Sequence, residues 1–268
     1  GPYLTRCMVY FPMPNKQVKL DEAAEHETVQ LELEGFSPQP EDRDGIIQLL
    51  NQLFPKNSGL HLGGIADYII SLENVGTIVK NCSEITEADT HDADDEDDDI
   101  VFSLTTVLTL TKPSISKFSV LTDLKKFLLD LACKSESAAS EVNAIKALLD
   151  GEASKRCALL LNERFVNLPP SISAKAVEAL PAEVQNLKEE ERPSDLLILT
   201  RALKPENVST LVYIQPEMEI VRQAADASLE TKITNASDDG DPETVIYILM
   251  AVKLSSLPAI IDSLADMP

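Results

Sequence analysis

"CALLLNERF", residues 157–165, begins with five apolar residues in succession and then turns to Asn162, Glu163 and Arg164. An apolar run this short and continuous reads as a central strand covered on both faces, because a strand with one wet face alternates polar and apolar residues. The charges follow where the strand would leave the core. Glu163-Arg164 therefore reads as an ion pair anchoring the strand end rather than as catalytic machinery.

A strand covered on both faces needs helices around it, and the flanking sequence supplies them. "PPSISAKAVEALPAEVQNLKEEE" (169–191) reads as a helix started by Pro169 and Pro170 and kinked at Pro181. Upstream, the uncharged "IVFSLTTVLTL" (100–110) is a second buried strand. "TVQLELEGF" (28–36) alternates Val29, Leu31 and Leu33 with Gln30, Glu32 and Glu34, the period of a half-buried strand. "SPQPEDRDG" is a turn offering Asp42 or Asp44 as a helix cap, and the helix through Ile46, Leu49, Leu50 and Leu53 stops at Pro55. Leu62, Ile65, Ile69 and Leu72 recur at helical spacing, and "VGTIVKNC" (75–82) is a short β-branched strand. Two helices follow Pro113, at about 115–134 and 140–150. Downstream lie strands at 194–204, 209–214, 228–233 and 244–254, an acidic helix from Glu217 to Ala227, and a closing helix in "LPAIIDSLADM".

The order predicts an α/β or α+β fold, one mixed central sheet of about seven strands flanked by helices. No Gly/Ser linker divides the chain. The expected organisation is an arm at 1–27, whose Gly1-Pro2 looks like the scar of a cleaved tag, and one domain at 28–268. No apolar stretch reaches the ~18–20 residues of a membrane helix. Cys7, Cys82, Cys133 and Cys157 form no C-x-x-C pair and read as reduced, small apolar fillers.

Charge is the outstanding feature. Residues 84–99 hold ten acids and no Lys or Arg, and removing them from a formal charge of −22 still leaves −12. Such a field repels nucleic acid and anionic membranes and attracts basic proteins, so neither direct nucleic-acid nor membrane binding is expected. So dense a run of like charge, with no apolar surface to bury, reads as a disordered solvated loop between two strands. A calcium loop fails on spacing: counted from Asp92, the positions that need Gly and Glu hold Asp97 and Ser103. His26, His61 and His91 are 30 or more residues apart, and no zinc motif is present. "GLHLGG" lacks the Lys-Ser/Thr of a phosphate loop and reads as a turn before a helix, and no G-x-S-x-G elbow occurs. No catalytic residue, metal ligand or cofactor is expected. The candidate site is the acid run itself, Asp92, Asp94, Asp95, Glu96, Asp97, Asp98 and Asp99, as a partner-binding element.

Taken in order, the segments resemble the BCCIP family, named for interaction with a breast-cancer suppressor and a cyclin-kinase inhibitor. The likeness lies in "VQLELEGFSPQPEDRDGIIQLLNQLF", "IADYIISLENVGTIVK", the acidic insertion, "IVFSLTTVLTL", "CALLLNERFVNLPPSIS" and "TVIYILMAVKLSSLPAIIDSLADM". Its most specific marks are Glu163-Arg164-Phe165-x-Asn167-x-Pro169-Pro170 and Val75-Gly76. The chain departs from the family in its "CMVYFPMP" arm, where an acidic tail is usual, and after Lys188.

The resemblance implies a fold like the GCN5-related N-acetyltransferases, without demonstrated enzyme activity or cofactor, in a nuclear protein. It implies a chaperone of a basic large-subunit ribosomal protein, with a part in nuclear export as in the yeast member. Roles in cell-cycle control, DNA repair and ribosome assembly are tied to animal members. The expected function is thus a non-enzymatic escort of a basic client, supporting ribosome biogenesis, with an adaptor for cell-cycle or repair proteins as the alternative. Acetyl transfer is the weakest reading, because no Arg/Gln-x-x-Gly-x-Gly/Ala string is present to hold a coenzyme A pyrophosphate.

Overall fold

The computed structural model describes residues 7–13, 27–81, 100–235 and 243–264. Strands β1 (Cys7–Met13) and β2 (Glu27–Phe36) lead to helices α1 (Arg43–Leu53) and α2 (Leu62–Ser71) and strand β3 (Thr77–Asn81). Then come β4 (Val101–Thr109), α3 (Lys112–Lys117), α4 (Ser119–Lys134), α5 (Ala139–Leu149), β5 (Cys157–Arg164) and α6 (Ser171–Glu183). The chain closes with β6 (Asp195–Leu203), β7 (Val212–Tyr213), α7 (Glu217–Ala224), β8 (Ala227–Asn235), β9 (Glu243–Lys253) and α8 (Leu257–Leu264).

All nine strands form one sheet in the order β1-β2-β3-β4-β5-β6-β9-β8, with β7 against β6. Every pairing is antiparallel except β5 with β6. Helices α1, α2, α4 and α5 cover one face, and α6 and α8 cover the other. The period of two explains why the central strands are apolar throughout. Leu159, Leu161, Leu197, Leu199, Tyr247 and Leu249 point to the first helical layer; Ala158, Leu160, Leu196, Ile198, Ile248 and Met250 point to the second.

Four features differ from the sequence expectation. The sheet has nine strands, because Cys7–Met13, expected in the N-terminal arm, pairs with β2 from Cys7↔Leu33 to Met13↔Glu27. Pro12 is tolerated there because β1 is an edge. The helix expected at 115–134 breaks at Phe118, whose extended backbone lets its ring meet Tyr68 edge-on at 4.9 Å. Pro181 lies inside α6, which runs only to Glu183 before a tight turn. Cys157 is a buried filler as expected, whereas Cys133 is exposed.

Two glycines are dictated by close approach. Gly76 has φ +96°, and a Cβ there would lie 2.6 Å from Thr106 Oγ1; its N–H donates to Glu183 Oε2 at 2.9 Å, tying β3 to α6. Gly45, inside α1, faces the buried Val101 at the start of β4, whose Cγ2 would be 2.5 Å from an added Cβ. In an open helix Gly→Ala stabilises by up to ~1 kcal/mol. Here overpacking of roughly 1–3 kcal/mol opposes it. Gly45→Ala is expected to lower stability by about 1–2 kcal/mol in urea unfolding; a gain would show that α1 does not press on Val101.

Candidate functional site

The parallel strands β5 and β6 pair only from Cys157↔Asp195 to Leu160↔Ile198. Beyond that point β5 follows β4 as far as Ser103↔Arg164, while β6 follows β9 as far as Ala202↔Ile246. The two strands part, and the wedge between them is filled by the chain itself. β7 pairs with the far part of β6 (Ala202↔Tyr213), and Ile214 N–H donates to Arg201 O at 3.0 Å. The next residues place Gln215 and Glu217, 4% and 2% exposed, inside the opening.

There they meet the two charges at the end of β5. Arg164 Nη2 donates to both carboxylate oxygens of Glu217 at 2.9 Å, a pair buried on both sides. Gln215 Nε2 donates to Glu163 Oε2 at 2.9 Å, and Arg201 Nη2 stands 3.6 Å from Glu163 Oε1. Helix α1 closes the site: Gln52 Nε2 donates to Arg164 O at 2.8 Å, and Tyr247 OH from β9 donates to Leu53 O at 2.9 Å. Burial pushes the Glu163 carboxyl up to about 7, outweighing the pull of Arg201 and of the neighbouring amides. Its Oε1 makes no hydrogen bond, so the charged form is under-compensated. Burial also raises Tyr247, to about 12, so it serves as a neutral donor.

The anchoring role of Glu163-Arg164 therefore stands, with a refinement: the two residues do not pair with each other but with separate partners about fifty residues downstream. Gln215 and Glu217 carry no short-range signal in the sequence. Arg201, the one charge within the apolar "LLILTRAL", was such a signal.

The wedge opens at a particular end of the sheet. By register, Met13, Glu27, Asn81, Val101, Asn235 and Glu243 all lie at the end where Arg164 and Leu203 finish. The connections 14–26, 82–99 and 236–242 leave from that end, and all three lie outside the described residues. So do the acid-run residues Asp92, Asp94, Asp95, Glu96, Asp97, Asp98 and Asp99. A second acidic stretch, with Asp238, Asp239 and Asp241, falls in the β8–β9 connection. What the structure does place is the root of the longer run. Lys80 Nζ is 2.8 Å from Asp42 Oδ1 and lies 5.1 Å from the centre of the Phe36 ring, and Val101 is held against Gly45. Asp42 thus secures β3 and accepts Gln39 N–H at 2.8 Å; it does not cap α1 with its side chain. His61 instead caps α2, its Nδ1 accepting Gly64 N–H at 2.8 Å, which accounts for "GLHLGG" as a helix start. The large apolar side chains most exposed, Val166, Val208 and Val212, belong to the connection after β5 and to the segment that runs from β6 into β7, at the same end.

Fold and site together define a helix-covered mixed sheet whose strand parting is sealed by its own side chains and whose acid-bearing connections share one end. The profile of the BCCIP family matches residues 28–250, and the chain belongs to that family. It is similar to the Drosophila melanogaster "Protein BCCIP homolog", 30% identical over 89% of this chain and 84% of that protein. The human "BRCA2 and CDKN1A-interacting protein" is 29% identical over 62% of this chain and 50% of its own length. The crystal structure of BCP1 from Saccharomyces cerevisiae shares the fold, with a TM-score of 0.59, 20% identity, and coverage of 92% of this chain and 93% of that one.

The wedge gives two expectations. Glu163 has a folded-state pKa near 7 against an ordinary 4.5, so the unfolded chain ionises first. Its contribution to stability falls as pH rises from about 4.5 to about 7 and is level above. Glu163→Gln lacks this loss, and its stability relative to the parent is expected to rise by roughly 3 kcal/mol between pH 5 and pH 8 in urea unfolding. A pH-independent difference would mean Glu163 is ionised throughout. Glu217→Ala strands the Arg164 guanidinium and is expected to cost about 3–5 kcal/mol, while Arg164→Met with Glu217→Met costs far less. Equal losses would show the pair is not isolated from solvent.

Proposed function

We propose that this protein is a non-enzymatic chaperone or escort of a basic protein, gripping its client with the acid-bearing end of the sheet. The observation that carries this reading is that the connections bearing the ten-acid segment and the Asp238-Asp239-x-Asp241 stretch are anchored at the same end of one sheet as three exposed valines. Apolar contacts there would recognise shape, while the acids neutralise Lys and Arg on the client. Long-range attraction would speed encounter and fade with salt, the Debye length being about 8 Å at physiological strength. Kinship with the BCCIP family supports a large-subunit ribosomal protein as the client, with work in the nucleus, ribosome biogenesis and nuclear export.

The name of the human relative supports a second reading, an adaptor for cell-cycle and repair proteins. The two are compatible, since both need a protein-binding surface. The parted parallel strands favour a likeness to the GCN5-related acetyltransferase fold. Acetyl transfer itself is disfavoured by what fills the parting: Gln215 and Glu217, both buried, occupy the wedge.

Deletion of residues 84–99 is expected to weaken association with a basic ribosomal protein at least tenfold at low salt, to flatten its salt dependence, and to leave thermal unfolding unchanged. Measured by calorimetry across a salt series, unaltered affinity would remove the acid run from the mechanism.

A further inference from the structure

The end of the sheet opposite the acid-bearing connections holds a cluster of cations. A cavity of about 530 Å³ opens there between the end of β4, the start of β5, α3, α4 and the turn after α5. Lys112, Lys125, Lys155 and Arg156 line it, and among the described residues none of the four makes an ion pair. In a chain where acids outnumber bases 45 to 23, four cations with no carboxylate partner among the described residues gather around this one opening. Lys112 and Lys155 are exposed and Lys125 and Arg156 half-buried; the lining acids, Asp150 and Glu190, are exposed and pair with none of them. The walls are apolar: Leu110, Ile115 and Leu149 on the inside, with Cys157 at the floor. Burial pushes the Cys157 thiol up to about 12, so the floor is an inert neutral group suited to contact and not to covalent chemistry.

We infer that this cavity is a docking site for an acidic linear peptide of a partner protein, with an apolar side chain of the peptide seated inside and its carboxylates on the cationic rim. Three observations select that ligand. An apolar interior beside three lysines and an arginine matches an apolar anchor flanked by acids. A phosphate cradle would use convergent backbone N–H groups or an arginine fork, but Arg156 is committed through Nη1 to Glu189 O. No aromatic residue lines the cavity, so a nucleotide base or single-stranded nucleic acid has nothing to stack on. The chain's own acid run is tethered at Asn81 and Ile100, the far end of β4, whose nine residues span roughly 30 Å. The site goes beyond the escort role, and its test contains no basic client, so either can fail alone.

The probe is an octapeptide of six glutamates around two central leucines, titrated into the ¹⁵N-labelled full-length protein and followed by amide shifts. The expected result is perturbation centred on residues 110–115 and 149–157. Affinity should be about fivefold or more weaker in Lys112→Glu/Lys155→Glu, and unchanged in Lys126→Glu, an exposed lysine outside the cavity. Serines in place of the leucines should weaken binding about tenfold. Unchanged affinity in the double variant, shifts centred elsewhere, or equal binding of the lysine-for-glutamate peptide overturns the proposal. Tighter binding of ATP or single-stranded RNA at the same amides also overturns it, as do shifts that depend on protein concentration alone.

Discussion

Two parallel strands that pair over only four residues must find other partners for the length they no longer share. That constraint organises the centre of this fold. β5 and β6 part after Leu160 and Ile198, and the side of each that faces the gap needs something to bury it. The solution is a return of the chain, with β7 laid on β6 and Gln215 and Glu217 driven between the strands to meet Glu163 and Arg164. Because α1 caps the same place through Gln52, with Tyr247 reaching Leu53, the wedge joins four elements distant in sequence. Buried polar networks of this kind are weak stabilisers but strict specifiers, since each member left unpaired is costly.

Sealing the parting also settles what the end of the sheet can do. A fold that could have left an opening for a ligand between two strands instead presents a closed, rigid platform there. The chemistry then lies in what hangs from the platform's edge. The acid-rich connections start and finish at that end, beside the exposed valines, and a cluster of four cations lies at the other.

Much of this was legible from residue pattern alone. The unbroken apolar run of 157–161 announced a strand covered on both faces, and period-two alternation at 28–36 announced a half-buried one. Their helices were marked by Pro55, Pro169 and Pro170. The strand at Cys7–Met13 was hidden because an edge strand gains its identity from a neighbour, and Pro12 argues against a strand in any local reading. The break at Phe118 follows from a tertiary ring contact with Tyr68, which no helical period reveals. Within the site, Glu163 and Arg164 were visible as charges at a strand end. Their partners were not, because Gln215 and Glu217 lie more than fifty residues away and become neighbours only when β5 and β6 diverge. The cationic cavity was invisible for the same reason: its four basic residues come from three separate stretches, and only the fold assembles them.

If one end of the sheet receives a basic partner, hydrogen–deuterium exchange of the protein, alone and saturated with a basic ribosomal protein, will register it there. Exchange is expected to slow in the connection after β5, around Val166, and in the segment from Val208 to Val212, with no change at 110–115 or 149–157. Protection confined to that second, cation-lined end, or the same exchange with and without the partner, would contradict it.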